Sequence, residues 1–220
     1  PMGPQPEGAY GQSDIGGSLL LAVLRPAAAK PAAPADQPRG GGNQPGRVVI
    51  TGGMGTLGSL VALWIAESGA HLDLIGRTGK LPTSHAVLAS LLAASEGAVS
   101  LATSDVAFQE DSMGTFGAAG SQHQVSTIFH SGGVLADATM VKQSLGGLRT
   151  VLAPKLTAAQ LCKPHSGVQP VAREVLFSSV ASLLGSPGQA NYSAANAALD
   201  GLATLMQQQV GVICWLPAFS

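Results

Sequence analysis

The sequence predicts an α/β fold in which a doubly wound parallel sheet carries helices on both faces. A short β-branched stretch at residues 47–51 leads into a glycine-rich turn and a helical pattern. Five further strand-like segments alternate with helical ones along the rest of the chain. The 220 residues are enough for one such domain with a sizeable core. Strands that alternate with helices form parallel sheets with right-handed crossovers.

The alternation can be followed segment by segment. Short β-branched or apolar runs predict the strands, and apolar residues at helical spacing predict the helices. The polar, glycine-rich stretch 108–124 predicts no defined element, whereas Gly146, Gly147 and Pro154 predict interruptions in the helical region 140–161. The expected strands are 47–51, 71–75, 98–102, 126–130, 174–179 and 210–215, and the other expected helices are 57–68, 82–94 and 190–209.

The first 46 residues differ from the rest in composition. They are rich in Pro, Gly and Ala, which is typical of a flexible linker. Only residues 18–24 have the composition of a strand. We therefore divide the chain into a linker at 1–46 and one domain at 47–220.

Composition and charge exclude several classes of partner. The net charge of −1 and the 10% of charged residues favour neither nucleic acid nor an acidic membrane surface. Cys162 and Cys214 both lie in apolar surroundings, so we expect no disulfide and a reducing compartment such as the cytoplasm. The apolar run 19–24 is too short to span a bilayer and follows no basic segment. No metal site is predicted.

The turn after the first strand satisfies G-x-G-x-x-G between a strand and a helix. Glycines there permit a tight turn and close backbone approach, and a helix N-terminus attracts a pyrophosphate, as in Rossmann-like domains. The alternative is a plain strand–helix turn. The candidate cofactor-binding residues in this turn are Gly52, Gly53, Met54, Gly55, Thr56, Leu57 and Gly58.

Arg77 follows the second strand, where the ribose of an adenosine would lie. An acidic residue at this place favours NAD, whereas an Arg accommodates the 2′-phosphate of NADP. The sequence therefore favours NADPH, and the alternative is a solvated surface Arg.

The segment 175–199 carries three residues suited to carbonyl chemistry. Ser179 ends a predicted strand, and Tyr192 and Asn196 stand four apart near the start of a predicted helix, so they share one helix face. A strand-end hydroxyl and a phenol at a helix start can converge on one carbonyl oxygen.

The sequences FSS, PGQANY and YSAAN in this segment resemble the ketoreductase domain of modular type I polyketide synthases, a short-chain dehydrogenase/reductase. The resemblance runs from about residue 47 to 215. That branch has Tyr-x-x-x-Asn, here Tyr192 and Asn196, and takes its Lys from an earlier helix, here Lys155 in VLAPKL.

The resemblance implies a role for each of these four residues. Tyr192 would donate the proton, and Lys155 would lower the pKa of its phenol. Ser179 would hydrogen-bond the substrate carbonyl, and Asn196 would position Lys155 or a water. Taken singly, they read as an ordinary helix Tyr, a surface Lys and a buried Asn.

Two further stretches resemble cofactor-binding parts of the family. Asp105 and Val106 resemble an Asp-Val pair that contacts adenine, although Asp105 could instead cap the following segment. Ser131 and Gly132 follow the fourth strand, where small residues let the backbone approach the nicotinamide ribose. Thr78 stands where members often carry a second basic residue. His130 alone is interpreted as a packed core histidine.

The resemblance implies an NADPH-dependent β-ketoacyl reductase that acts on a thioester held by an acyl carrier protein, among the other domains of a synthase. A fatty acid synthase ketoreductase is a close alternative, and a non-catalytic remnant is an alternative of another class. Members continue past the position of Ser220 through a lid helix and another strand, so we expect both to be missing and activity to be impaired. Residues 1–46 would include the tail of a structural subdomain.

The resemblance also bears on stereochemistry. Asp137 matches the last residue of a Leu-Asp-Asp loop, and Pro187 and Asn191 precede Tyr192 as in the same subclass. Leu184 stands where the other subclass has a Trp. These residues predict the D-configured (3R, in simple substrates) β-hydroxy product.

Overall fold

The structure is a computed structural model that describes residues 46–81, 86–94, 98–119, 125–162, 171, 173–210 and 213–218. The chain divides into two units, 1–42 and 43–220, and every described residue belongs to the second. The strand expected at 18–24 lies outside the described residues. No helix in the part of the chain that the structure describes is long and apolar enough to cross a membrane.

Six parallel strands form one sheet in the order β3-β2-β1-β4-β5-β6. The chain moves outward from β1 to β3 and then restarts at β4 beside β1, which is the doubly wound topology that the sequence predicts. The strands are β1 (Arg47–Thr51), β2 (His71–Gly76), β3 (Val99–Thr103), β4 (Val125–His130), β5 (Arg173–Ser179) and β6 (Ile213–Ala218).

The described helices lie between these strands. Two of them, α4 and α5, are joined by one π-helical turn (Ala153–Thr157), and a 3-10 turn (Met140–Lys142) precedes them. The helices are α1 (Thr56–Ala66), α2 (Ala86–Ala94), α3 (Gln109–Ala119), α4 (Leu145–Leu152), α5 (Ala158–Leu161), α6 (Ala181–Leu184) and α7 (Ala190–Val210).

Apolar strand residues pack against the helices to form the core. One cluster joins β1, β2 and β4 to Phe116 of α3 and to Cys162. A second joins Leu176 of β5 to Leu199 and Met206 of α7 and to Ala159 of α5. The strands are therefore held rigidly, and their carboxyl ends at β1, β4 and β5 provide a fixed frame for a site.

Helix α3 corrects the expectation of no defined element at 108–124. Its apolar pattern is diluted by glycine, but the turn that leads into it is well hydrogen-bonded. The Asp105 carboxylate accepts a hydrogen bond from the Ala107 N–H at 3.2 Å, and the Asp111 carboxylate accepts one from the Asp105 N–H at 3.1 Å. Acidic residues at a helix N-terminus also complement its dipole. The buried Phe116 packs on the core, and the buried Ser112 hydroxyl donates to the Leu161 carbonyl, so both residues hold the helix in place.

The region 140–161 also differs from the expectation. Gly146 and Gly147 do not interrupt a helix, because they lie in the first turn of α4, where the Ser144 hydroxyl accepts from the Gly147 N–H at 3.1 Å. The interruption expected at Pro154 is present, because α4 ends at Leu152 and a π-helical turn separates it from α5. The missing N–H of Pro154 removes one i→i−4 bond, and the backbone widens into that turn.

Candidate active site

The glycine-rich turn joins the carboxyl end of β1 to the first turn of α1. Gly52 has φ +69°, and a Cβ added to it would lie 2.8 Å from the Gly132 backbone nitrogen. A Cβ on Gly58 would lie 2.3 Å from the Gly52 carbonyl oxygen. Both positions therefore require glycine, and the backbone of the turn is brought against the segment that follows β4.

A cleft opens beside this turn at the carboxyl ends of β1, β2 and β4, and we call it the cofactor cleft. Such a switch point is where open α/β sheets bind ligands. Seven of the twelve predicted cofactor-binding residues line it. They are Gly52, Gly55, Arg77, Asp105, Val106, Ser131 and Gly132.

The other five predicted residues do not line the cleft. Gly53, Met54 and Gly58 are buried beneath it, and Leu57 is half-buried in α1. Thr56 is exposed as the first residue of α1. These five shape the turn, whereas the seven lining residues are those that a ligand could touch.

Lys155 brings a buried ammonium group to the end of β5. The residue lies in the π-helical turn, is 5% exposed, and its Nζ donates to the Phe177 carbonyl at 2.8 Å. Nζ also lies 5.6 Å from the centre of the Tyr192 ring. Desolvation by burial lowers the pKa of Lys155 to about 8, and the charge of Asp200 acts in the opposite direction.

Tyr192 lies in the first turn of α7 and is half-buried. Its N–H donates to the Asn191 side-chain oxygen at 2.7 Å, which caps the helix start. The Asn196 amide donates to the Tyr192 carbonyl at 2.8 Å, and its Oδ1 is buried without a hydrogen-bond partner among the described residues. A buried amide oxygen of this kind is suited to a bound water.

Ser179 ends β5 and is fully buried. Its oxygen accepts from the Ala181 N–H at 3.2 Å, which leaves its proton uncommitted among the described residues. The structure thus brings Lys155, Ser179, Tyr192 and Asn196 to one end of β5 and α7. We call these four the catalytic cluster, after the role that the sequence predicts for them.

His130 at the end of β4 is fully buried, as a packed core histidine would be. Its Nδ1 lies 2.6 Å from the Thr51 hydroxyl, and its Nε2 lies 2.9 Å from the Lys155 carbonyl oxygen. Desolvation, and then the charge of Lys155, lower the pKa of His130 to about 4, so the ring is neutral at physiological pH.

The three residues predicted to control stereochemistry lie in two segments that touch. The post-β4 loop (residues 131–139) holds the exposed Asp137, whose carboxylate accepts from the Gln189 amide at 3.2 Å. The pre-α7 segment (residues 185–191) holds the exposed Pro187 and the buried Asn191. The Asn191 amide donates to the Ala136 carbonyl at 2.7 Å.

Several residues around the site were not found from the sequence. Gln143 donates to the Ala138 carbonyl at 2.8 Å and to the Gly188 carbonyl at 3.4 Å, so it joins the post-β4 loop to the pre-α7 segment. Asp200 acts on Lys155 from α7. One signal was available, because Asp200 follows Asn196 by four residues and so shares the face of Tyr192.

A family model described as the KR domain matches residues 46–215. The chain belongs to that family. Two similar proteins are polyketide synthases. Polyketide synthase GfsB of Streptomyces halstedii is 38% identical over 161 residues, which is 72% of this chain and 3% of that protein. Spectinabilin polyketide synthase system protein NorA' of Streptomyces orinoci is 34% identical over 186 residues, or 84% of this chain and 5% of that protein.

Solved ketoreductases have the same fold. A structure described as "A-type Ketoreductases from Modular Polyketide Synthase" superposes with a TM-score of 0.69 at 35% identity, covering 77% of this chain and 37% of that one. An "A1-type ketoreductase" gives 0.69 at 34%, covering 83% and 39%. The chain is thus a ketoreductase domain of the polyketide synthase kind, with the fold of short-chain dehydrogenases/reductases. It spans a small part of its curated relatives' length.

Proposed function

We propose that this ketoreductase domain reduces a β-ketoacyl thioester, carried by an acyl carrier protein, to the β-hydroxyacyl thioester with NADPH. The observation that carries the proposal is the approach of the buried Lys155 ammonium to the Tyr192 ring at 5.6 Å, while the same ammonium donates to the Phe177 carbonyl two residues before Ser179. The two residues come from separate elements, and a cation beside a phenol is what acid catalysis by Tyr needs.

The cofactor cleft has the chemistry that NADPH requires. Glycine at Gly52 and Gly132 lets backbone amides come close to a ligand, and α1 points its N-terminus at the cleft. Arg77 lines the same cleft and is exposed, so its guanidinium can pair with a 2′-phosphate. The bound nicotinamide supplies hydride to the carbonyl carbon.

Tyr192 donates the proton to the carbonyl oxygen as negative charge develops there. A free phenol has a pKa near ~10 and is a weak acid at neutral pH. Lys155 is largely protonated at neutral pH, because burial lowers its pKa only to about 8. Its charge stabilises the negative charge that develops on the Tyr192 oxygen as the proton leaves.

Ser179 and Asn196 complete the site in this proposal. The Ser179 hydroxyl donates to the carbonyl oxygen and holds it beside the phenol, since its proton is uncommitted among the described residues. Asn196 holds a water on its unpartnered Oδ1, which returns a proton to the cluster from solvent.

The partners of the domain follow from its relatives. The two similar polyketide synthases are far longer than this chain, so we propose that it works beside other synthase domains and receives its substrate from an acyl carrier protein in the cytoplasm. A tethered thioester reaches the catalytic cluster past the post-β4 loop and the pre-α7 segment.

The direct test follows NADPH absorbance with a small β-ketoacyl thioester such as an acetoacetyl thioester. We expect consumption of NADPH matched by formation of the β-hydroxy product, and little reaction with NADH. A protein that binds NADPH but consumes none with any β-ketoacyl thioester would contradict the proposed function and favour a non-catalytic domain.

We also propose that the product has the D configuration. The post-β4 loop with Asp137 and the pre-α7 segment with Pro187 and Asn191 contact each other beside the catalytic cluster. We propose that together they set the side from which the tethered acyl chain enters the site. Chiral chromatography of the reduced thioester measures the configuration. A dominant L product would contradict the role of these three residues and leave the catalytic cluster untouched.

A further inference from the structure

We propose that His130 is a positioning residue for Lys155, holding the backbone of that residue so that its ammonium faces Tyr192. The inference rests on the proposed function of the catalytic cluster. His130 touches neither Tyr192 nor Ser179 in the described contacts, and it acts through the carbonyl of Lys155 and the hydroxyl of Thr51.

The hydrogen bonds fix one tautomer of His130. A carbonyl oxygen can only accept, so Nε2 carries the proton and donates to the Lys155 carbonyl at 2.9 Å. Nδ1 then lacks a proton and accepts from the Thr51 hydroxyl at 2.6 Å. Both ring nitrogens are thus used, and the ring has no freedom to turn in its fully buried place.

The segment that carries Lys155 needs such a support. Pro154 has no N–H, and the chain runs there as a π-helical turn in which the Ala158 N–H bonds to the Ala153 carbonyl. A widened turn fixes its side chains less firmly than an α-helix does. The bond from His130 to the Lys155 carbonyl restrains the one residue whose direction matters for the phenol.

His130 also joins this segment to the cofactor cleft. Thr51 ends β1 and lines the cleft, and its carbonyl accepts from the Ser131 N–H at 3.0 Å and from the Ser131 hydroxyl at 2.8 Å. The ends of β1 and β4 and the Lys155 turn are therefore tied together. A shift of one would move the lysine relative to the cleft.

The ionisable groups around this centre are few. In the part of the chain that the structure describes, Lys155 faces His130 from the π-helical turn, and α7 contributes Tyr192 and Asp200. β1 contributes Thr51 and β5 contributes Ser179, and neither titrates in the physiological range. A change in pH dependence on altering His130 can therefore be assigned to Lys155, Tyr192 or Asp200.

Two substitutions of His130 separate its two bonds. In H130Q the amide nitrogen reaches as far as Nε2, so it can keep the bond to the Lys155 carbonyl. In H130N the amide reaches only as far as Nδ1, so it can keep the contact with Thr51 but removes the bond from residue 130 to the Lys155 carbonyl. T51V is the matched variant that removes only the Thr51 hydroxyl while keeping the side-chain shape.

The first measurement is the rate of β-hydroxyacyl thioester oxidation by NADP⁺ in the full chain as a function of pH. That direction needs a proton acceptor at Tyr192, whose charge the Lys155 ammonium stabilises, so the midpoint of the pH–rate profile reports the position of that ammonium. With the ammonium displaced, H130N should shift the midpoint upward by about 1 pH unit and lower kcat about tenfold, at little change in KM for NADP⁺. H130Q should restore the parent midpoint, and T51V should shift it less than H130N.

The second measurement does not depend on activity. With ¹³C at the lysine ε carbon, NMR titration follows the ionisation of Lys155, assigned with K155M. H130N should change the Lys155 titration, and H130Q should keep it. If H130N folds and gives the parent midpoint and the parent titration, His130 is structural only and the inference is wrong.

The results that would contradict the proposed function differ from those that would contradict the positioning role of His130. A parent protein with no thioester activity would contradict the function, whereas the lysine titration would still decide whether His130 sets the environment of Lys155. Equal losses in H130N and H130Q, with unchanged titration in both, would also overturn the positioning role.

Discussion

The cofactor cleft and the catalytic cluster are built in opposite ways. The cleft is made largely of backbone: Gly52 comes against Gly132 because Gly52 has no side chain, and the walls remain open to solvent. The cluster is made of buried side chains, with Lys155 and Ser179 almost or fully inaccessible. In the proposed function, cofactor binding therefore depends on the lack of side chains at the glycines of the cleft. The reaction depends on the buried polar side chains of the cluster.

This difference predicts how the cofactor cleft and the catalytic cluster should each respond to substitutions. A side chain added to a tightly packed glycine of the turn should displace the backbone and lower the affinity for the cofactor. A cluster of buried polar groups fails when one group is removed, and the failure appears in rate or in pH dependence.

The largest loss of reaction rate is expected from a substitution in the catalytic cluster. Tyr192→Phe should lower the rate of ketone reduction by about 10²-fold or more while NADPH binds nearly as before, because the proton is donated only as the oxyanion develops. Steady-state kinetics and NADPH fluorescence measure the two quantities. Near-full activity in this variant would contradict the assignment of Tyr192 as the acid.

The next largest effect, on NADPH affinity and on Tm, is expected from a substitution in the glycine-rich turn of the cofactor cleft. Gly58→Ala should lower both NADPH affinity and Tm, because the added Cβ would lie 2.3 Å from the Gly52 carbonyl and only the backbone can yield. Gly114→Ala is the matched control, since nothing lies within 4 Å of its Cβ and α3 should gain about 0.5–1 kcal/mol. Equal behaviour of the two variants would show that the turn tolerates a side chain.

A smaller, selective loss is expected at the rim of the cleft. Arg77→Ala should weaken NADPH binding about tenfold or more and leave NADH almost unchanged, because only NADPH offers a 2′-phosphate. Lys80→Ala is the control, being exposed and outside the cleft lining. A similar loss for both cofactors would mean that Arg77 supports the structure and does not select the cofactor.

The smallest effect is a change in pH dependence. The charge of Asp200 raises the pKa of Lys155, so Asp200→Asn should lower it further. The ammonium would then be lost at a lower pH, and the alkaline fall of the reduction rate should move to lower pH. Glu110→Gln, an exposed change of the same kind on α3, should leave the profile in place. An unmoved profile in Asp200→Asn would show that Asp200 has no influence on the lysine.

The sequence predicts contiguous patterns well and distant pairings poorly. The strand–turn–helix at Gly52 to Gly58 could be recognised because each glycine has a local backbone reason. The i, i+4 spacing of Tyr192 and Asn196 likewise predicts a shared face. The π-helical turn at Lys155 could not be predicted, because a Pro inside an apolar helical pattern equally suits a helix end.

The contacts of His130 and Gln143 could not be predicted from the sequence either. Both side chains bond to backbone carbonyls far along the chain, and no spacing rule connects such groups. Helix α3 was missed for the opposite reason, since its local glycine content concealed a helix that one buried Phe116 and an acidic first turn hold in place.

The ties between the post-β4 loop and the pre-α7 segment have a consequence for chimeric synthases. Gln189 and Asn191 donate from the pre-α7 segment to the post-β4 loop, and Gln143 donates to both. Grafting the pre-α7 segment from another domain would discard the Gln189 and Asn191 donors, and grafting the post-β4 loop would discard the Asp137 carboxylate. The two segments together with Gln143 therefore form the smallest transferable cassette, even though they are far apart in the gene.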